Sequence, residues 1–345
     1  LSGEQPGSLF ERAAEALRDR GAAIVSVEVV GVPYDNGKGP ERLAQAFGPV
    51  AWPVTWIDRR PDVAMGGVHI WAIVGPTPTP IVQGSVVTGT RFEDTWATFC
   101  RVGGLAPADI EAAPADQASS ILHAMETTLH AADMGFADVV RTWFFNRDIS
   151  AWYGDFNQAR NRFFASRGVF QGVVPASTGV GGGDVGAAAL TGGLLAIRPK
   201  NGLAHIVPAF SPLQCPALDY GSAFNRAIEV AFPDHVRLLV SGTASISPHG
   251  HTEHAGNVEA QVTRTVDVVG ALLESRGTAW DEVTSGLAYV KRIDDLPAVT
   301  GHLERAQLDR LPILMVHADI CRNDLLFELE VNVISPRARY NHGPG

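Results

Sequence analysis

Two glutamates, Glu328 and Glu330, stand two residues apart in DLLFELEVNVI (324–334), a run whose alternation predicts a β-strand. Successive strand side chains point to opposite faces, so the two carboxyls share one face while Leu325, Phe327, Leu329 and Val331 take the other. Two carboxyls on one side of an otherwise apolar strand are costly unless they are paired or used. Burial of one beside the other raises its pKa and makes it a proton donor at neutral pH. Arg322, just upstream, is expected to hold the second carboxylate ionised. Glu328 is the expected acid and Glu330 the second candidate. The alternative is a structural ion pair with Arg322. Cys321 adjoins Arg322, whose charge is expected to lower the thiol pKa; the alternative is a buried, inert thiol.

A second group of chemically useful side chains lies in WYGDFNQARNRFF (152–164). Tyr153, Phe156, Asn157 and Arg160 follow i, i+3, i+4, i+7 spacing and share one helix face. That face offers a ring, an amide and a guanidinium, which suits a small cyclic acid. The plainer alternative has the two rings in the core and Arg160 in solvent. Arg162 points elsewhere. His249, His251 and His254 are spaced too loosely for a metal set, with Glu253 the only local carboxylate, and no metal is expected. GVGGGDVG (179–186) lacks the lysine and following helix of a phosphate loop and reads as a turn.

The elements that must position these residues occur twice. TWATFCRVGGLAP (95–107), DQASSILHAMETTLHAADMG (116–135), DVVRTWFFNRDI (138–149), SAWYGDFNQARNRFFASRG (150–168) and AAALTGGLLAIRP (187–199) read as strand, helix, strand, helix, strand, with GVVPASTGVGG (172–182) as a turn. HVRLLVSGTASI (235–246), NVEAQVTRTVDVVGALLESRG (257–277), DEVTSGLAYVKRI (281–293), DLPAVTGHLERAQLD (295–309), ILMVHADI (313–320) and the 324–334 run repeat the order. Gly135 and Gly277 are expected to close the long helices in the left-handed conformation. A repeat this long implies duplicated domains, placed at 1–204 and 205–345. Ahead of it lie a predicted helix at 8–20, a strand at 22–32 and strands at 69–75 and 81–90; residues 33–65 carry no clear pattern.

The chain's 345 residues are long enough for two cores. A net charge of −10 disfavours nucleic acid and anionic membranes as partners. No apolar run approaches the roughly 20 residues of a membrane span. Three scattered cysteines, with no CxxC, argue against a disulfide framework or a zinc knuckle. A cytoplasmic protein is expected.

SGTASI, EAQVTRTVDVVGALLESRG, DEVTSGLAYV and FELEV resemble the RidA (YjgF/YER057c/UK114) module. WYGDFNQARNRFF, PASTGVG (175–181), SPLQCPALDYGSAFNRA (211–227), GHTEHAGNVEAQ (250–261) and ADICRNDLLFELE (318–330) resemble the chorismatases, which carry two such modules. The matches cover most of residues 65–335. The resemblance implies an α+β fold of two tandem modules, each a mixed sheet covered on one face by helices. Simple RidA proteins keep an arginine where this chain has Ser177, which implies that the first module lends walls and arginines to a site in the second.

The resemblance further implies chorismate, a dicarboxylate with an enol-ether-linked pyruvyl group, as the small-molecule partner, with no cofactor. Arginine forks suit two carboxylates, and the candidates are Arg147, Arg160, Arg226 and Arg322, with Tyr153 and Tyr220 as pocket walls. Glu328 would protonate the methylene, and hydrolysis would give pyruvate and trans-3,4-dihydroxycyclohexa-1,5-diene carboxylate. A 3-hydroxybenzoate synthase is the alternative branch, and Ala244, expected in the region that selects between them, favours hydrolysis; Cys321 is implied to bear on the same choice. A RidA-like imine deaminase and a non-catalytic carboxylate-binding module are the further alternatives. Monomer and homotrimer are both open.

Overall fold

A computed structural model of the chain describes residues 6–31, 38–57, 66–182 and 187–336. The first five residues, residues 32–37 and 58–65 of the unpatterned stretch, and 183–186 of GVGGGDVG lie outside this description.

The first unit is a three-stranded sheet of β1 (Ala23–Gly31), β2 (Val54–Ile57) and β3 (Gly66–Ile73), in the order β2-β1-β3. Helices α1 (Pro6–Arg18) and α2 (Gly39–Phe47) cover it, burying Phe10 and Leu43 against Val27 and Val29. The stretch without a sequence pattern thus contributes α2 and β2.

Two six-stranded sheets follow. One holds β4 (Thr79–Gln83), β5 (Val86–Glu93), β6 (Ala97–Leu105), β7 (Val139–Asn146), β8 (Ala176–Gly181) and β9 (Leu190–Pro199), in the order β4-β5-β6-β9-β7-β8, with helices α3 (Pro114–Ala131) and α4 (Ile149–Ser166). The other holds β10 (His205–Ala209), β11 (Ala227–Ala231), β12 (His235–Ala244), β13 (Val283–Val290), β14 (Ile313–His317) and β15 (Phe327–Pro336), in the order β10-β11-β12-β15-β13-β14, with α5 (Val258–Ser275) and α6 (Leu296–Arg305). The two orders are identical, so the duplication is a duplication of topology, and the α+β class stands.

Both copies carry three strands before the first helix, more than expected, and the first copy carries two after the second helix where one was expected. Part of the surplus is PASTGVG, predicted as a turn. Residues 176–181 instead form edge strand β8, parallel to β7, because the buried backbone there gains ladder hydrogen bonds that a turn would forgo. Gly135 differs too. Its φ is −143°, extended, and Asp133 (φ 56°) takes the left-handed position after α3. Gly277 behaves as expected, at φ 65°.

Alternation along β15 sorts its side chains. Phe327, Leu329, Val331 and Val333 enter a core with Val262, Val269, Leu272 and Leu273 of α5, each full burial stabilising by about 1.5–3 kcal/mol. Asn257 caps α5, its side chain accepting from the Ala260 N–H. The opposite face of β15 is left for Glu328 and Glu330. In both large sheets a register shift interrupts the corresponding pair of strands, at Val240/Thr243 of β12 and Val102/Leu105 of β6.

Two junctions run edge to bulge, β8 against β12 and β2 against β6, and in the third β14 lies against edge strand β3, which closes a ring of three within one chain. No helix among the described residues is long and apolar enough to cross a membrane.

Candidate functional site

Where β8 meets the β12 bulge, a cavity of about 250 Å³ opens. Helix α4 supplies Tyr153, Asn157 and Arg160; the segment before β11 supplies Tyr220 and Arg226; β12 supplies Gly242 and Ala244. The β14–β15 connection and β15 supply Cys321, Arg322 and Glu328. The helix face drawn from spacing alone therefore faces the cavity, apart from Phe156, which is core. The backbone at Trp152 departs from helical geometry (φ −142°, ψ 17°), so the regular face begins at Tyr153. Arg147 does not line the cavity. It lies in the turn into α4, where its carbonyl accepts from Trp152 Nε1 at 2.8 Å.

The two glutamates have different surroundings. Glu330 accepts from Arg141 Nη2 at 2.8 Å, from Trp143 Nε1 at 2.9 Å and from the Thr178 hydroxyl. The guanidinium groups of Arg101 and Arg141 stand 4.2 and 5.0 Å from the Trp143 ring. Glu328 is 5 % exposed and faces the cavity. Burial first, and the neighbouring Glu330 charge second, push its carboxyl up to about 8; Arg141 and Arg226 only partly offset them. Glu328 is the carboxyl that keeps its proton at neutral pH.

The partner expected for this pair was Arg322, and the structure corrects that. Arg322 Nη1 donates to the Gly250 carbonyl at 2.8 Å, and its guanidinium sits 5.7 Å from the Tyr220 ring. Arg141 on β7 takes the expected role, because the edge-to-bulge docking brings β7 and β8 over β15. Sequence reasoning missed Arg141, Trp143 and Thr178. The signal was present: Arg141 stands in VVRTWFF, a charge in an apolar strand, the same anomaly that singles out the glutamates.

Three guanidinium groups line the cavity without a described carboxylate partner. Arg160 is 2 % exposed and donates from Nη2 to Asn157 Oδ1 at 2.6 Å; burial lowers its pKa, and the nearest opposing influences are tyrosines and Cys321. Arg226 donates from Nε and Nη2 to the Cys215 carbonyl at 3.0 and 2.9 Å and stands 5.6 Å from the Tyr220 ring. Arg322 is the third. Buried cations without carboxylates are expensive, so buried Arg160 and Arg226, with half-buried Arg322, give the cavity a positive charge that an entering anion can offset.

Of the two readings of Cys321, the structure favours the inert thiol. Burial, then the Glu328 charge, push its thiol up to about 12, and Arg322 counters too little. It is a protonated wall residue. Burial likewise raises the Tyr153 and Tyr220 phenols. Ala244 is buried and is the strand partner of Glu328. Ser177 lines the cavity 3.5 Å from Arg160 Nη1. Among the described residues no group of three His, Cys, Asp or Glu side chains is arranged to hold a metal ion.

A larger cavity, about 320 Å³, lies where the three sheets meet, between Glu28, His69, Arg101 and Trp143. Much of its charge is paired. Arg101 and His69 both bond to Glu28 and, against burial, hold its carboxyl down to about 2. Arg237 also lines this cavity without a described carboxylate partner, donating to His235 Nε2 at 3.3 Å; the smaller cavity gathers three such guanidinium groups beside Glu328, which favours it as the site.

No family model matches the chain. A 3-hydroxybenzoate synthase of Streptomyces hygroscopicus is 28% identical over 225 residues, covering 57% of this chain and 64% of that protein. A chorismatase of Streptomyces rapamycinicus is 28% identical over 218 residues, with the same coverages of 57% and 64%. The chain thus spans a little under two thirds of the length of these curated relatives. A chorismatase crystal structure superposes with a TM-score of 0.67 at 20% identity, covering 90% of this chain and 93% of the other, so the fold is shared.

Proposed function

The curated relatives and the shared fold support assigning this chain to the chorismatase family, and from that premise we propose that it cleaves the pyruvyl enol ether of chorismate. One observation carries the reading: three guanidinium groups without carboxylate partners among the described residues share a small cavity with one buried carboxyl, whose pKa burial raises to about 8. A dicarboxylate supplies the missing anions, and the acid supplies the proton that an enol ether needs.

In this reading Arg160, Arg226 and Arg322 hold the two carboxylates, with Tyr153 and Tyr220 against the ring. Glu328 gives its proton to the terminal methylene, whose π electrons form the new C–H bond. Positive charge develops on the ether-bearing carbon as an oxocarbenium ion. Water adds there and returns a proton to the Glu328 carboxylate. The hemiketal then breaks its bond to the ring oxygen as its hydroxyl becomes the pyruvate carbonyl and the hydroxyl proton passes to the departing oxygen, releasing pyruvate and trans-3,4-dihydroxycyclohexa-1,5-diene carboxylate. Glu330, fixed by Arg141, Trp143 and Thr178, adds its charge to the burial that keeps Glu328 protonated. The Ala244 methyl at the cavity wall favours this hydrolytic branch. The same acid would serve rearrangement to 3-hydroxybenzoate.

The test is incubation with chorismate, pyruvate detection by a coupled lactate dehydrogenase assay, and NMR of the ring product. Absence of pyruvate rejects the proposal. An aromatic product rejects the hydrolytic branch and leaves the protonation step.

A further inference from the structure

We infer that Gly242, on the β12 bulge, is a positioning residue for the Glu328 acid: the carboxyl occupies the space that a side chain at 242 would need. This rests on the reading of Glu328 as the proton donor. A Cβ built on Gly242 falls inside van der Waals contact of Glu328 Oε1, 3.0 Å from its Cδ and 3.2 Å from Thr178 Cγ2. The glycine is not there for its backbone, because its φ lies outside the left-handed region and an alanine is conformationally allowed. Gly104, at the matching place in the first large sheet, contrasts with it: φ is +62° and a Cβ there would strike the Val54 backbone.

The bulge is itself held in place. The Gly242 N–H donates to Thr178 Oγ1 at 3.0 Å, and that hydroxyl also accepts from Arg141 Nη2 at 2.6 Å and donates to Glu330. One hydroxyl therefore fixes the surface against which Glu328 rests relative to the anion beside it. The atom that an alanine would displace is the far end of a flexible side chain, which can swing away. Gly242→Ala should consequently spare the fold and move the acid.

The experiment compares Gly242→Ala with the intact full-length chain in two backgrounds. In the Glu328 background kcat falls at least about 100-fold, the lower range of what a positioned general acid supplies, while KM changes less than about threefold. The thermal midpoint stays within about 4 °C of that of the unmodified chain. In a Glu328→Asp background, where the shorter side chain no longer reaches the bulge, the added alanine costs less than about threefold, the non-additivity of residues in contact. Without any substrate, the 13C carboxyl resonance of Glu328, identified by its loss in Glu328→Gln, titrates at a different midpoint in Gly242→Ala. An unchanged carboxyl titration overturns the inference, as does an equal loss of kcat in both backgrounds. Should the wild type not act on chorismate, the titration alone decides it, so the two proposals fail separately.

Discussion

Replacing Glu328 by glutamine keeps the shape of the side chain and removes both its proton and its charge. Two consequences follow from its surroundings, and they have opposite signs. The first is catalytic: loss of a positioned general acid lowers kcat by about 10²–10⁴. The second is on stability. The Glu328 carboxyl is pushed from an ordinary 4.5 to about 8 by burial and by Glu330. Between those values the folded chain holds a proton that the unfolded chain has released, so wild-type stability falls as pH rises and levels off above about 8. At about 1.36 kcal/mol per pH unit, the interval is worth roughly 5 kcal/mol. Glutamine does not titrate, so Glu328→Gln gains on wild type progressively from pH 5 to pH 9. Urea unfolding at four pH values across that range measures the difference through the midpoint. The kcat/KM of the wild type should fall on the alkaline side with a midpoint near 8. A stability difference that is flat with pH, together with retained activity in Glu328→Gln, would falsify the assignment of Glu328 as a buried protonated acid.

Arg160→Lys keeps the charge and loses the planar fork, and should raise KM about 10–100-fold, the worth of one or two hydrogen bonds to a charged group; an unchanged KM would remove Arg160 from the groups that hold the carboxylates. The Cys321 thiol, held protonated with a pKa of about 12, should react with iodoacetamide at pH 8 far more slowly than a free thiol, and Cys321→Ser should keep most of the activity; rapid labelling blocked by substrate would contradict this. Arg141→Met strips a buried carboxylate of its ion pair and should destabilise by about 3–5 kcal/mol, with Arg141→Met/Glu330→Gln recovering much of the loss. Equal urea midpoints for the single variant and wild type would show that the pair does not matter.

What the sequence disclosed about this site depended on range. Local periodicity placed Glu328 and Glu330 on one strand face and Tyr153, Asn157 and Arg160 on one helix face, because each element enforces its own repeat. Periodicity carries no information about which element lies opposite. Arg322 was chosen as the partner of Glu330 because it is close in the chain, whereas Arg141 reaches it from 189 residues away through the docking of two sheets. The sequence leaves the Cys321 thiol open between activated and inert for a related reason. Its arginine neighbour is visible in the sequence, and the burial that outweighs that neighbour is not. Residues 33–65 gave no pattern because β2 is a four-residue strand held by β1 and by the β6 bulge, too short for alternation to register.

The ring of three sheets explains why a duplicated chain holds one such constellation among its described residues. The cleft between β2 and β6 repeats the one between β8 and β12 in backbone detail. There the Gly104 N–H donates to Thr55 Oγ1 at 2.9 Å, as the Gly242 N–H donates to Thr178 Oγ1 at 3.0 Å. Strand β7 keeps against β9 the register that β13 keeps against β15, so the counterparts of Glu328 and Glu330 are Thr191 and Gly193. A side chain at Gly193 would meet the Val102 carbonyl and lie 3.3 Å from Arg101 Nη1. Arg101 is committed to Glu28. The hydrogen bond that fixes the bulge is thus common to both clefts and serves the docking of the sheets. The chemistry of the second cleft needs more: an acid, an anion to keep it protonated, and an arginine to hold that anion. A glutamate placed at residue 191 would have burial to raise its pKa, but no carboxylate beside it on β9, where Gly193 stands, and the Arg101 guanidinium nearest to that position is already held by Glu28.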